Sequence, residues 1–208
     1  MNRHILWFCI NCCLILIIGC TPYMHGHYEL SRKNYVGAIT DFNEYLAQNP
    51  DSLDVRNRVG YCHMKAEQPD KAISSFRQVL TQDKDNTYAI LQLGLAWLQK
   101  GDPEQTIAIW QLYPNNTQQI LTKEIKRQFA MLEILTGRMA PDENNPEAML
   151  FDSETINRYM SYSNQQLFAA IELELTTAAE RQKVYNADHT DIGHDTNSGG
   201  SGDGGCGG

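Results

Sequence analysis

Cysteines outside the first twenty residues are few in this sequence, and basic residues are fewer than acidic ones. Only Cys62 and Cys206 follow the four cysteines of the first twenty residues, so no set of disulfides can be expected even in an oxidising compartment. The chain has 17 lysines and arginines against 25 aspartates and glutamates, a formal charge of −8. This acidic balance disfavours nucleic acid and anionic lipid surfaces as partners. The fold must therefore be stabilised by burial of apolar side chains.

The motifs of the common enzyme classes are missing as well. The sequence contains no glycine-rich phosphate loop, no nucleophile elbow and no HExxH zinc motif. Its carboxylates are scattered along helical stretches, as solvated helix faces require. The sequence therefore predicts a protein that is not an enzyme and that needs no cofactor. A hydrolase has no supporting residues.

A long apolar run occurs at the N-terminus. Arg3 is the only charged residue among the first twenty, and residues 5–18 are almost continuously apolar. A membrane-spanning helix needs about 20 such residues, so this run is short for a span. A basic start, an apolar core of this length and a small-residue exit predict a secretory signal peptide over residues 1–19.

The end of this run carries a more specific motif. Ile17-Ile18-Gly19-Cys20 resembles the lipobox of bacterial lipoproteins, with isoleucine where leucine is usual at the first position. The resemblance implies cleavage before Cys20 and attachment of several acyl chains to it, which together anchor a protein stably. Thr21, in place of aspartate, implies retention at the outer membrane, facing the periplasm. A plain cleaved signal and a short membrane anchor are the alternatives.

Four columns of residues recur with a period of 34. They hold a glycine, a small residue, an isoleucine and a large aromatic residue. The period and these residue types resemble the tetratricopeptide repeat, in three copies over about residues 21–120. An ordinary helical bundle with a chance periodicity is the alternative. The columns are Gly26, Gly60 and Gly94; Ala38, Ala72 and Thr106; Ile39, Ile73 and Ile107; and Phe42, Phe76 and Trp110.

The resemblance implies an all-α fold, a right-handed superhelical stack of helix hairpins. The small residues would let the two helices of a pair approach closely, and the aromatic residues would fill the space toward the next pair. Capping signals such as Asp102-Pro103 support the helix starts. The predicted pairs are residues 22–33 with 35–48, 53–66 with 69–82, and 87–100 with 103–113.

The remaining chain predicts a capped stack with a flexible end. A helix from about residue 115 to Gly137 reads as a capping helix or a degenerate fourth repeat, and residues 138–152 as a loop. Helix resumes over 153–186 with a possible break at 163–166. The predicted organisation is therefore a signal peptide (1–19), three repeats (20–120), a capping helix, loop and C-terminal helix (121–186), and a disordered glycine-rich tail (187–208).

Histidines and cysteines suggest a metal site only weakly. His25 and His27 are two residues apart on a predicted helix and point to different sides. In the tail, His189, His194 and Cys206 are suitable zinc or copper ligands, but a flexible chain would have to become ordered on binding. A solvated tail is expected. A metal- or thiol-handling lipoprotein that acts through its tail is the alternative function.

Tetratricopeptide arrays use the first helix of each pair to line a groove for peptides or partner helices. The basic cluster with which some members clamp a carboxylate is not present, and the aromatic and aliphatic character favours an apolar helix face. The chain's own 153–186 helix is an alternative occupant. The resemblance places in this groove Tyr23, His27 and Leu30, then Asp54, Asn57, Tyr61, Met64 and Lys65, then Tyr88, Leu91, Leu95, Leu98 and Gln99.

The lipobox and the repeats together predict a lipid-anchored adaptor on the periplasmic side of the outer membrane. Its partners would be envelope proteins or peptides bound by the repeats, in assembly of the pilus, secretion or outer-membrane biogenesis type. Membrane contact would be made through the N-terminal lipid. No nucleic acid partner is expected.

Overall fold

A computed structural model describes residues 21–114, 119–140 and 151–190. Over these ranges the chain forms nine helices and no strands. The predicted signal peptide, Cys20, part of the predicted loop and the glycine-rich end lie outside the described residues. The helices are α1 (Pro22–Ser31), α2 (Tyr35–Gln48), α3 (Leu53–Lys65), α4 (Pro69–Gln82), α5 (Thr87–Lys100), α6 (Pro103–Trp110), α7 (Gln119–Leu135), α8 (Ser153–Met160) and α9 (Asn164–Thr190).

Local capping signals set the ends of the repeat helices. The Asn34 Oδ1 accepts a hydrogen bond from the N–H of Gly37 at the start of α2 (3.2 Å), and the Asp102 Oδ1 accepts one from the N–H of Gln105 at the start of α6 (3.0 Å). Gly101, with φ of 87°, ends α5 in the left-handed region. Among the repeat helices, the largest difference from the predicted bounds is in α6, which ends at Trp110 instead of residue 113.

The first six helices form three hairpins that stack in chain order. Each helix from α1 to α6 packs against the next one along the chain, and α7 continues the series against α6. The first helices of the second and third hairpins, α3 and α5, also contact each other. The predicted all-α stack of helix hairpins is therefore confirmed, and the alternative of a bundle with a chance periodicity is excluded.

The glycine and aromatic columns of the repeat meet inside each hairpin. The ring of Phe42 lies on Gly26, and a Cβ on that glycine would be 2.7 Å from the ring. Phe76 lies on Gly60 in the same way. Both rings are fully buried. The aromatic residues therefore fill the space within their own hairpin, whereas the sequence suggested that they face the next pair.

The third hairpin has threonine and tryptophan where the other two have alanine and phenylalanine. Each of these two side chains makes a buried hydrogen bond. The Thr106 Oγ1, where alanine was expected, donates to the carbonyl oxygen of Gly94 (3.0 Å). The Trp110 Nε1 donates to the carbonyl oxygen of Leu91 (3.2 Å). Both acceptors belong to α5, so the extra polar atoms of α6 are satisfied at the helix interface and need no water.

The last three helices close the C-terminal end of the stack. α8 packs on α7, and α9 lies along α7 and α5. The chain breaks between α8 and α9 because Ser163 caps α9: the Gln166 N–H donates to the Ser163 Oγ (3.4 Å), and the Ser163 N–H donates to the Gln166 Oε1 (2.9 Å).

The C-terminal helix is longer than the sequence suggested. α9 continues to Thr190, whereas the sequence placed its end at residue 186 and a disordered tail from residue 187. Neither glycine nor proline interrupts residues 164–190, and Gly193 is the first glycine after them. No helix within the described ranges is long and apolar enough to cross a bilayer.

Candidate functional site

The residues predicted to line a groove separate into a covered group and an open group. The side chains of the covered group are apolar and at most 8% exposed, and they share one buried cluster with side chains of α9. In the observed conformation these four side chains are therefore covered within the chain itself, in agreement with the alternative in which its own C-terminal helix occupies the groove. The covered group is Met64, Leu91, Leu95 and Leu98.

α9 covers the groove with one apolar side. Ile171, Leu175 and Ala178 are buried and spaced by four and three residues, as one face of a helix requires. On the opposite side, Leu173 is 67% exposed. The alternative in which the 153–186 segment fills the groove therefore holds for its C-terminal half, over α5 and α7.

Polar contacts fix the position of α9 along the groove. The Lys65 Nζ lies 2.7 Å from the Glu172 Oε1, and both side chains are mostly buried. Burial opposes the charge on Lys65, but the hydrogen bond and the charge of Glu172 outweigh burial and raise the pKa of this lysine. Near the other end, the Gln182 Oε1 accepts a hydrogen bond from the N–H of Ile120 at the start of α7 (2.8 Å).

The open group lies on α1, α3 and the start of α5, and none of its members belongs to the buried cluster that includes α9. Tyr23 and His27 pack edge to face with ring centroids 4.6 Å apart. The Lys65 Nζ lies 5.6 Å from the ring centroid of Tyr61. Tyr88 is 43% exposed. Burial raises the pKa of the Tyr61 and Tyr88 hydroxyls. We call Tyr23, His27, Tyr61 and Tyr88 the open face.

A cavity of about 620 Å³ adjoins the open face between α3 and the turn that precedes α5. Three carboxylates and one guanidinium line it, so its charge is negative. Sequence reasoning missed the acids of the α4–α5 turn, because charged turn residues are usually solvated. The only sequence sign was the run Asp83-Lys84-Asp85 directly before a helix cap. The lining residues are Asp54, Asn57, Arg58, Asp83, Asp85, Asn86, Thr87 and Tyr88.

A chain of amide hydrogen bonds runs along the floor of this cavity. The Asn57 Nδ2 donates to the Asn86 Oδ1 (3.4 Å), and the Asn86 Nδ2 donates to the Asp83 Oδ2 (2.9 Å). The Asn86 Oδ1 also caps α5 by accepting from the N–H of Ala89 (3.0 Å). Asn57 is only 8% exposed, and its Oδ1 accepts no hydrogen bond from the described residues.

The two histidines of α1 have different surroundings. The His25 Nδ1 lies 2.7 Å from the Asp41 Oδ2, and this hydrogen bond raises the pKa of the imidazole. Burial lowers the pKa of His27, whose ring packs against Phe42. Within the ranges that the structure describes, no three His, Cys, Asp or Glu side chains are grouped to hold a metal ion.

The remaining sequence candidates lie at or beyond the ends of the described chain. His189 belongs to the last turn of α9. His194, Cys206 and Cys20 are outside the described residues. Metal binding by the tail and lipidation of Cys20 therefore stay predictions.

Comparison with known families agrees with the stacked hairpins. Two models of the tetratricopeptide repeat match the chain, one over residues 23–87 and the other over residues 63–127, and together they span about half of its length. No curated protein matches the chain. Arrays of this repeat generally serve as non-enzymatic scaffolds that bind other proteins, so the repeats indicate an adaptor for protein–protein interaction. The chain belongs to the tetratricopeptide repeat family.

Proposed function

We propose that this protein is a lipid-anchored adaptor on the periplasmic side of the outer membrane, where it binds an envelope protein through its open face. The observation that carries the proposal is the contrast between the two halves of the groove. α9 covers the apolar half, while in the aromatic half Tyr88 is 43% exposed and Tyr23, His27 and Tyr61 are partly exposed. Tyrosine rings combine apolar contact area with a hydrogen-bonding hydroxyl, which suits a binding surface.

The covered half limits the kind of partner. A helix that ran the full length of the groove would have to displace α9, with its buried side chains and its Lys65–Glu172 pair. A partner that uses only α1, α3 and the start of α5 needs no displacement. A short segment of the partner is therefore the ligand that the observed conformation favours, in an assembly of the pilus, secretion or outer-membrane biogenesis type.

The start of the folded part supports a short tether. α1 begins at Pro22, and the Thr21 Oγ1 caps it by accepting a hydrogen bond from the N–H of Met24 (3.4 Å). Helix thus begins within two residues of Cys20, the proposed lipidation site. A lipid at Cys20 would hold the first hairpin close to the bilayer surface, with the open face beside it.

Lipid labelling tests the anchor. The full chain is expressed in a Gram-negative host with a palmitate analogue that can be tagged. Incorporation of label and recovery in the outer-membrane fraction are expected for the natural chain. Cys20→Ser should abolish both. Cys206→Ser, the matched control, should leave both unchanged. Label that persists in Cys20→Ser would contradict the anchor.

Site-specific crosslinking tests the adaptor. A photo-reactive amino acid replaces Tyr88 of the open face or, as the control, Tyr28, which is 54% exposed on another side of α1. A discrete adduct with one envelope protein is expected only from position 88, and a chain ending at residue 190 should still give it. The same adducts from both positions would overturn the proposal. Loss of the adduct in the shortened chain would instead favour chemistry in the tail.

A further inference from the structure

The cavity beside the open face has an uncompensated negative charge. Arg58 is its only basic lining residue, and the Arg58 Nε already pairs with the Asp54 Oδ2 at 2.9 Å. Asp83 and Asp85 remain as the unbalanced charges. Lys84 lies between them in the chain but does not line the cavity. Because the whole chain is also acidic, this cavity attracts cations and repels anions.

A second and independent observation comes from Asn57, which lines the same cavity. The Asn57 amide nitrogen donates to Asn86, and the Asn86 amide nitrogen donates to Asp83. Because Asn57 is the first donor in this series of hydrogen bonds, its Oδ1 is left as an acceptor without a donor. The side chain is more than nine-tenths buried, and no described residue donates to that oxygen. A buried acceptor without a donor is unfavourable, and an N–H donor from a ligand would satisfy it.

The shape and size of the cavity favour an organic cation over a metal ion. Within the described ranges, no three carboxylates, imidazoles or thiolates lie close enough to hold a metal. The acids are instead spread around a cavity of about 620 Å³, which has room for an amino-acid side chain together with water. Tyr88 also lines the cavity and is 43% exposed, and an aromatic ring is a favourable neighbour for an organic cation.

We infer that this cavity receives a lysine or arginine side chain from the partner's segment, with Asp83 and Asp85 as counter-charges and the Asn57 Oδ1 as an acceptor. The inference rests on the proposed function and names the chemistry of the partner. It makes the open face selective for basic segments. The carboxylate-clamping mode of other repeat proteins would select the opposite charge.

Peptide selection tests this preference. The full chain, purified in detergent and immobilised, is used to select from a library of random nonapeptides. Enrichment of lysine or arginine at one position is expected. A selected peptide in which citrulline or norleucine replaces that basic residue should bind about tenfold more weakly or worse, since a hydrogen-bonded charge is lost. Equal binding of the neutral peptide would overturn the inference.

Two matched pairs of charge variants test whether the preference for basic peptides arises from the cavity. Asp83→Asn with Asp85→Asn should weaken the selected basic peptide about tenfold and should remove the basic preference from a new selection. Glu44→Gln with Asp51→Asn makes the same change in net charge at exposed positions away from the cavity and should alter binding less than twofold. Equal losses in both pairs would show general charge attraction and overturn the inference.

The results of the crosslinking and peptide-selection experiments together distinguish a failure of this inference from a failure of the adaptor proposal. If position 88 crosslinks to a partner but the selected peptides have no basic residue in common, the adaptor stands and the basic specificity is wrong. If basic peptides are selected and lost in the Asp83→Asn and Asp85→Asn pair, the inference holds, whichever envelope protein supplies the segment.

Discussion

The ring of Phe76 lies so close to Gly60 that a Cβ on the glycine would be 2.6 Å from the Cε1 of the ring. Real Cβ atoms essentially never approach a non-bonded atom so closely, so the aromatic column of the repeat requires the glycine column. The glycine is therefore required by the geometry of its own hairpin, and its backbone conformation is ordinary helix. A substitution here tests the packing unit from which the whole stack is built.

Gly60→Ala is expected to lower the free energy of unfolding by about 1–3 kcal/mol, because the added methyl group overlaps a fully buried ring. Helix propensity alone predicts the opposite sign, since alanine is favoured over glycine by about 1 kcal/mol within a helix. Urea unfolding followed by circular dichroism measures the difference. A more stable variant would show that the two helices can separate without cost.

A double-mutant cycle provides the control for this prediction. Phe76→Leu removes the overlapping ring and is destabilising alone, but it should reduce the cost of Gly60→Ala when the two are combined. Additive effects would mean that the glycine matters for another reason than contact with the ring.

The bounds of the repeat helices could be predicted because their causes are local. The capping residues, such as Asn34 and Asp102, lie next to the helix ends that they determine. The columns of small and large residues lie within the helices that they bring together. The position of α9 could not be predicted in this way. The stripe of Ile171, Leu175 and Ala178 indicates the buried side of this helix, but it does not indicate which helices that side packs against.

The covered and open halves of the groove depend on contacts between residues far apart in the chain. Leu95 reads equally well as a groove residue or as core until α9 is placed over it. The cavity was missed for a related reason. Asp83 and Asp85 look like solvated turn residues in the sequence, and only the fold brings them beside Asn57.

Removal of one buried side chain should release α9 from the groove. Ile171→Ala is expected to cost about 2–4 kcal/mol in docking of α9, since this side chain is fully buried against α5 and α7. Hydrogen exchange should become faster in α9 and stay unchanged in α1 and α2, which are not among the helices that pack on α9. Binding of an apolar dye should rise as Leu91 and Leu95 become exposed.

Leu173→Ala is the matched control, because Leu173 lies on the same helix and is 67% exposed. Its effect should stay within about 0.5 kcal/mol. Equal acceleration of exchange by both variants would indicate that α9 is held by its ends and not by its apolar side.

Two histidines should change the pH dependence of stability in opposite directions. Burial lowers the pKa of His63 in the folded chain below its ordinary value of 6.5. The unfolded chain then binds more protons, so the stability contributed at neutral pH is lost as the pH falls below 6.5. His63→Gln should flatten the fall in unfolding free energy between pH 7 and pH 5.5, measured by urea unfolding at each pH.

His25 gives the opposite sign, because its hydrogen bond and ion pair with Asp41 raise its folded pKa. Its contribution is fully present below pH 6.5 and is lost as the pH rises through the folded pKa. His25→Gln should therefore make the decline on acidification steeper. Equal slopes in the two variants would show that neither imidazole has the surroundings described here.

Cys62 should react with alkylating reagents only when α3 separates from the first hairpin, because it is buried in a cluster with Ala38 and Phe42. Its side chain is fully buried, and burial raises the pKa of the thiol to about 11, so almost no thiolate is present or accessible at pH 8. Iodoacetamide labelling, followed by mass spectrometry of the Cys62 peptide, should be slow in buffer and fast in denaturing urea. Val36→Cys introduces a thiol at a position that is 65% exposed and should react quickly in both. Comparable native rates at the two positions would mean that α3 separates readily from the first hairpin, against which Cys62 is buried.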